Sequence, residues 1–218
     1  MTTRARRERE KEGRRRSILK AAREAFFEHG FQHVTVDDIA ERAEVSKGTV
    51  YLYFESKEAI LAHLLLDALD ALLAELDAAC AQPVAAADDQ LRQLCATYLR
   101  FFEREPQVLH LLMAMDRGRF RDAVPAEMVE QVLEASLQGL DLAVRAVQQG
   151  IDAGLFCPCD SRRVAAVLWA TLNGVLELVQ HPLRREMVGV ERELLYRAAI
   201  ELFIRGLYRI GYVQGGAE

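Results

Sequence analysis

Residues 35–57 read TVDDIAERAEVSKGTVYLYFESK, two short helical patterns joined by a tight turn. Val36, Ile39, Ala40 and Ala43 recur at helical spacing. Thr35 stands where an N-cap belongs, and Asp38, three residues on, completes a capping box. Val34 and Ile39 occupy the hydrophobic staple positions around that cap. Ala43-Glu44-Val45 then breaks the period. Ser46 is a second N-cap, with Val45 and Val50 as its staple. The helix it opens, Lys47 to Phe54, is about two turns long. Ser56 caps a further helix that begins at Lys57.

Two turns bury too little to be stable alone. The outward residues of the short helix, Lys47, Thr49, Tyr51 and Tyr53, can all hydrogen-bond, and none is negatively charged. Such a surface suits insertion into a major groove, with the N-terminal residues meeting base edges. Gly48 is unfavourable in a helix, and its missing side chain lets the backbone approach something closely. The N-termini at Val36, Lys47 and Lys57, capped by Thr35, Ser46 and Ser56, offer N–H groups to phosphate. The tyrosines and Lys57 would position a duplex rather than read it. Spacing alone also admits an ordinary helical corner whose tyrosines cap a core.

The run T-V-D-D-I-A-E-R-A-E-V-S-K-G-T-V-Y-L-Y-F-E-S-K-E-A-I-L resembles the DNA-binding signature of the TetR/AcrR family of bacterial transcriptional repressors. The likeness extends back through Ile18-Leu19-Lys20-Ala21-Ala22 and Phe26 to Gly30-Phe31. It is nearly gap-free over residues 14–61, about a quarter of the chain. The remainder resembles the family only in length and helical character. One departure concerns the reading surface. Many members carry an aromatic where Leu52 stands and a histidine where Tyr53 stands. Leu52 offers an apolar contact with a thymine methyl in place of a polar one.

Charge is divided along the chain. The 218 residues carry 28 Lys/Arg and 33 Asp/Glu, a formal net charge of -5. Residues 1–57 hold 13 Lys/Arg and 10 Asp/Glu, a net of +3, which leaves 15 and 23, a net of -8, for the rest. A basic head on an acidic body is expected where phosphate is met at one end only. No apolar run is long enough to span a bilayer. The charged N-terminus has no apolar stretch behind it, so it does not read as a signal peptide. The expectation is a cytoplasmic protein whose four cysteines, Cys80, Cys95, Cys157 and Cys159, are reduced.

Outward from the quoted stretch the pattern is helical throughout, predicting an all-α fold of about nine helices with no strand and no repeat. Residues 1–13 lack a hydrophobic pattern and read as a flexible basic arm. Helix one runs from Arg14 to His29, with Gly30 as its left-handed stop and Phe31 folding back on Phe26. Residues 14–60 form a head of three helices. A long helix from Lys57 to Gln82 is apolar on more than one face and links this head to a larger body, residues 61–212. The body's helices run from Asp88 to Arg104, from Pro106 to Met115, from Pro125 to Gly154, from Asp160 to Gln180 and from Val190 to Tyr212. Asp116 to Val124 reads as a loop, and residues 213–218 as a frayed tail.

Catalytic chemistry is hard to place. The chain has no glycine-rich phosphate loop, no nucleophile elbow and no histidine spacing suited to a metal. Cys157-Pro-Cys159 lacks the second cysteine pair of a zinc site and reads as a loop. No enzyme, metal or cofactor is expected. The helices from Asp160 and from Val190 are apolar around much of their circumference, more than a monomer can bury. One seam holds Val164, Leu168, Val175 and Val179; the other holds Leu194, Ala198, Leu202 and Gly206.

The resemblance gives these features roles. It implies a homodimer through a four-helix interface built from the two seams. It implies contacts to a near-palindromic double-stranded operator from Arg14, Arg15, Arg16, Thr35, Ser46, Lys47, Gly48, Thr49, Tyr51, Leu52, Tyr53 and Lys57. It implies a repressor whose body binds a small, mostly apolar effector, with Leu66, Leu69, Leu73, Tyr98, Phe102, Met113, Met115, Trp169 and Asn173 as the candidate lining. A dimeric architectural or protein-responsive DNA binder with no small ligand is the alternative, and no membrane partner is expected.

Overall fold

Helix α1 spans Thr3–His29 and carries the stripe Ile18, Leu19, Ala22, Ala25 and Phe26 into a shared core. The structure, a computed structural model, describes residues 3–115 and 124–208. After α1 come α2 (Val36–Arg42), α3 (Lys47–Tyr51), α4 (Lys57–Ala81), α5 (Ala87–Arg104) and α6 (Pro106–Met115). Then follow α7 (Ala126–Asp152), α8 (Ser161–Gln180), α9 (Pro182–Val188) and α10 (Arg192–Leu207). The all-α expectation holds: the described residues form ten helices and no strand, with one isolated bridge between Phe156 and Tyr208.

Local signals placed the helix ends. Gly30 has φ 77 and its amide donates to the Phe26 carbonyl at 3.0 Å. Phe31 turns back edge-on to Phe26, ring centroids 5.2 Å apart. Gly154, with φ 72, turns the chain beyond α7, and Asp160 accepts from the Arg162 and Arg163 amides to cap α8.

Three expectations are corrected. Residues 3–13, read as a flexible arm, continue α1 as helix. Their residues are good helix formers, and Arg6 pairs with Glu10, as Arg16 does with Glu12, one turn apart. The helix of α3 stops at Tyr51, with Leu52 as C-cap, rather than at Phe54. The tenth helix, α9, was not expected. Proline opens it, where a missing N–H is no loss, and Gly189 closes it with φ 65. The expected loop at 116–123 and the tail beyond 208 lie outside the described residues.

The chain divides into two units, Met1–Leu69 with His110–Leu133 and Asp70–Leu109 with Glu134–Glu218. The first is larger than the head expected from residues 14–60. Its core gathers Ile18, Ala22, Val34, Ile39, Val50, Phe54, Ile60, Leu61 and Leu65, and Val124 joins the same cluster. Leu111, Leu112, Met128 and Val129 pack against it. The end of α6 and the start of α7 thus belong to the head's core.

In the second unit α5, α8 and α10 pack on one another, and α9 lies against α8. Gly139 of α7 lies against Leu73 and Leu76 of α4. Past Gly154 the chain doubles back, and the amides of Leu155 and Phe156 both donate to the Gly150 carbonyl at 3.0 Å. The Phe156 ring, 1% exposed, then fills the space where a Gly150 side chain would stand.

A polar network ties the same region together. Arg92 of α5 donates to Asp88 Oδ2 at 2.5 Å, to Glu201 Oε1 at 2.7 Å and to the Tyr208 hydroxyl at 3.1 Å. Tyr208 in turn donates to Asp88 Oδ2 at 2.5 Å. The Cys157 amide donates to the Leu207 carbonyl at 2.7 Å, and its thiol donates to the Tyr208 carbonyl at 3.3 Å. Cys157-Pro-Cys159 is therefore a loop fastened to the end of α10. Cys95 is buried, which pushes its thiol up to about 12. No single helix among the described residues is long and apolar enough to cross a membrane.

Candidate nucleic-acid interface

Caps come first, because they orient α2 and α3. The Thr35 hydroxyl accepts from the Asp38 amide at 3.2 Å and donates to Asp38 Oδ2 at 2.8 Å. Asp38 Oδ2 accepts from the Thr35 amide at 2.7 Å, closing the box. These bonds hold the Asp38 carboxyl below its usual range. Ser46 Oγ accepts from the Thr49 amide at 3.1 Å and lies 2.8 Å from the Thr49 hydroxyl. Between the helices Glu44 turns the chain with φ 55, in the left-handed region. Thr35 and Ser46 thus satisfy backbone donors of their own helices, as N-caps do.

Several of the polar residues expected at DNA have partners inside the head. Lys47 Nζ donates to Asp37 Oδ2 at 2.7 Å, and this bond raises the ammonium's pKa. Lys57, expected at phosphate, also forms an internal tie. Its ammonium donates to the carbonyls of Phe31 and Val34, both at 2.8 Å, and lies 4.4 Å from the centre of the Phe31 ring. Two of its three donors fasten the α1–α2 connection to the start of α4. Arg15 is likewise turned inward. Its guanidinium lies 3.1 Å from His63 Nδ1 and 5.6 Å from the Phe54 ring centre. Burial and then the Arg15 charge lower the His63 pKa, while Asp67 opposes them. Arg14 and Arg16 are exposed, and Tyr53 is half-buried against the head's core.

What remains open on α3 is a patch of Gly48, Tyr51 and Leu52. Tyr51 is 48% exposed and Leu52 81%. A Cβ built at Gly48 meets only Ser46 Oγ, at 3.8 Å. The fold therefore has room for a side chain at Gly48. Gly48→Ala is expected to stabilise the head by about 0.5–1 kcal/mol while weakening DNA binding at least tenfold. Thermal melts and a binding titration on one preparation check both signs. Unchanged binding would mean that nothing approaches this backbone closely.

The candidate effector residues separate by unit. Leu66 is half-buried and Leu69 buried in the first. In the second, Leu73 is half-buried, and Tyr98, Phe102, Trp169 and Asn173 meet. The Tyr98 hydroxyl donates to Asn173 Oδ1 at 3.0 Å, and Phe102 stands edge-on to Tyr98 at 4.8 Å. Burial drives the Tyr98 phenol pKa well up, and hydrogen bonds with Asn173 and Trp169 partly oppose it. The Trp169 indole is half-exposed. The side chains of Met113 and Met115 lie outside the described residues.

The two expected dimer seams fare differently. On α10, Leu194, Ala198, Leu202 and Gly206 are all exposed, Leu202 at 72%. On α8, Leu168 and Val179 are buried in the protomer's own core, and Val164 and Val175 are half-buried. The opposite side of α8, with Ala166, Val167, Ala170 and Gly174, faces solvent. Both sides of α8 are apolar, so amphipathicity did not distinguish them. Asp37 was missed, since nothing in the sequence links it to Lys47 ten residues away.

A capped helix pair with an open second helix on a basic head is the geometry of a DNA-reading module. The sequence profile of the bacterial regulatory proteins, tetR family, matches residues 18–64. The chain is 30% identical to the HTH-type transcriptional regulator RutR of Escherichia coli K12 over 173 residues, 78% of this chain and 76% of RutR. It is 26% identical to the uncharacterized HTH-type transcriptional regulator YhgD of Bacillus subtilis over 184 residues, 83% of this chain and 93% of YhgD. The crystal structure of the transcriptional regulator FadR from Bacillus subtilis in complex with stearoyl-CoA superposes with a TM-score of 0.67 at 22% identity, covering 88% of this chain and 98% of FadR. With the helix-turn-helix geometry and a relative of this identity over most of both chains, the protein belongs to the tetR family of bacterial regulatory proteins and is a DNA-binding transcriptional regulator, not an enzyme.

Proposed function

We propose that this regulator is a homodimeric repressor that binds a near-palindromic operator through α3 and is released by a small, mostly apolar effector. The observation that carries the reading is the open face of α3, with Gly48, Tyr51 and Leu52 presented to solvent between two satisfied caps. Dimerisation is supported by the stripe Leu194, Ala198, Leu202 and Gly206 on α10 beside the small, exposed residues of α8. Gly174 and Gly206 have nothing within 4 Å of a built Cβ, so a second helix can approach closely at both. The effector reading is supported by the stearoyl-CoA found on FadR, which shares the fold, and by the Tyr98–Asn173 hydrogen bond set among aromatics. An inducer must prefer the DNA-free state, and by linkage operator and inducer weaken each other by one common factor.

Leu202→Asp tests the assembly. A charge at the centre of an apolar interface has no partner when buried. The unmutated chain is expected to scatter light as a dimer at micromolar concentration. The variant should be a monomer, with operator affinity reduced at least 100-fold because one head then meets one half-site. A monomeric unmutated chain, or a variant that still dimerises, would overturn the dimer.

A further inference from the structure

We infer that Leu52 reads the 5-methyl group of a thymine in each operator half-site and is a specificity-determining residue of this regulator. The inference rests on the DNA-binding role proposed above. Its starting point is elimination among the residues of the reading face. Lys47 is held by Asp37, the Thr49 hydroxyl by Ser46, and Tyr53 is packed into the head. Tyr51, 48% exposed, and Leu52, 81% exposed, remain open, and of the two only Leu52 lacks a hydrogen-bonding group.

An exposed leucine is ordinary in itself. What singles this one out is its setting. Leu52 is the C-cap of α3, with φ -70 and ψ -20, and its amide donates back to the Gly48 and Thr49 carbonyls at 3.2 Å. The backbone is therefore fixed while the side chain projects from it. Beside it stand the open backbone of Gly48 and the exposed ring of Tyr51. This patch sits on the net positive head, which is complementary to a nucleic acid. In a major groove the base edges present donors and acceptors, and the one apolar group larger than a hydrogen is the thymine C5-methyl. A leucine at a groove-facing position has no other group to match.

The magnitude is that of one buried methyl, about fourfold in affinity per half-site and about fifteenfold when a dimer loses both. The test starts by selecting duplex DNA from a randomised library with the full-length protein. Each thymine of the enriched sequence is then replaced by uracil, which keeps every hydrogen bond and removes only the methyl. One symmetric thymine pair is expected to show the fifteenfold loss with the unmutated protein. Leu52→Ala should bind more weakly and be indifferent to that same replacement, so that the two changes are not additive. If a palindrome is enriched but no uracil replacement lowers affinity by more than about 1.5-fold, or if Leu52→Ala loses the same factor at the same pair, the inference fails while the regulator reading stands. If no sequence is enriched, both fail. Thermal melting of Leu52→Ala reports that the exposed substitution leaves the head folded.

Discussion

Replacing Arg92 by methionine is expected to lower the stability of the second unit by about 3 kcal/mol, because it leaves the buried Asp88 carboxylate without its cation. Arg92 serves Asp88, Glu201 and the Tyr208 hydroxyl together, so one substitution removes a donor from all three. Methionine keeps most of the side chain's apolar stem, which limits the change to the charge and its hydrogen bonds. Urea unfolding gives the number. The double variant Arg92→Met, Asp88→Asn should recover part of the loss, since the stranded charge is gone. The pH dependence has a definite sign. At Asp88 burial acts to raise the pKa, but hydrogen bonds from Tyr208 and Arg92 outweigh it and hold the carboxyl below its ordinary 3.8. At Glu201 the Arg92 hydrogen bond holds it below 4.5. Folded-state values below the unfolded ones mean stability that is present above about pH 4.5 and is lost as pH falls through the lower, folded values. In Arg92→Met this acid sensitivity should shrink. A change under 1 kcal/mol would show that the network does not hold the unit together.

Gly150→Ala should be costly for the opposite reason, too much matter rather than too little charge. A Cβ there overlaps the ring of Phe156, which is buried and anchored by its own amide bond to the Gly150 carbonyl. Neither the helix nor the ring can yield without disturbing the Phe156–Tyr208 bridge. Overpacking of this kind costs about 2–3 kcal/mol, a fall in melting temperature of roughly 5–10 °C. Alanine at Gly13, where a built Cβ has open space, is the control and should cost no stability. Equal melting for both variants would mean that α7 and the 155–157 turn adjust freely.

These cases show which parts of the molecule were legible in the sequence. Thr35 with Asp38, Ser46, Asp160, Gly30 and Gly154 were readable because a cap is decided within three or four residues. The helix-turn-helix followed from those caps. Partners distant in sequence were not readable. Nothing near Arg92 announces Glu201, 109 positions on, and nothing near Lys57 announces the Phe31 and Val34 carbonyls that occupy it. Lysines and arginines on a basic head looked interchangeable as phosphate ligands until their internal partners were seen. The buried face of α8 failed for another reason. A helix apolar on both sides carries no internal mark of which side meets its own protomer, so Leu168 and Val167 could not be told apart. The first unit's added segment, from His110 to Leu133, is a third kind of miss, since only tertiary packing joins Val124 to the head's core.

The bond between Lys47 and Asp37 changes how the head's electrostatics are to be counted. In free DNA-binding proteins a surface lysine is ordinarily neutralised by nothing but mobile ions, and binding sheds the cations condensed on the phosphates it replaces. Here Lys47 carries its own counterion, fixed 2.7 Å away on the neighbouring helix. For Lys47 to take up a phosphate it must exchange one carboxylate for another anion, and Asp37 is then left facing the same phosphate. If α3 meets DNA as proposed, Asp37 would lessen the general attraction of Lys47 for duplex and weight discrimination toward groups that bear no charge. On the proposed reading, the basic residues would provide approach, and selectivity would fall to the neutral end of α3.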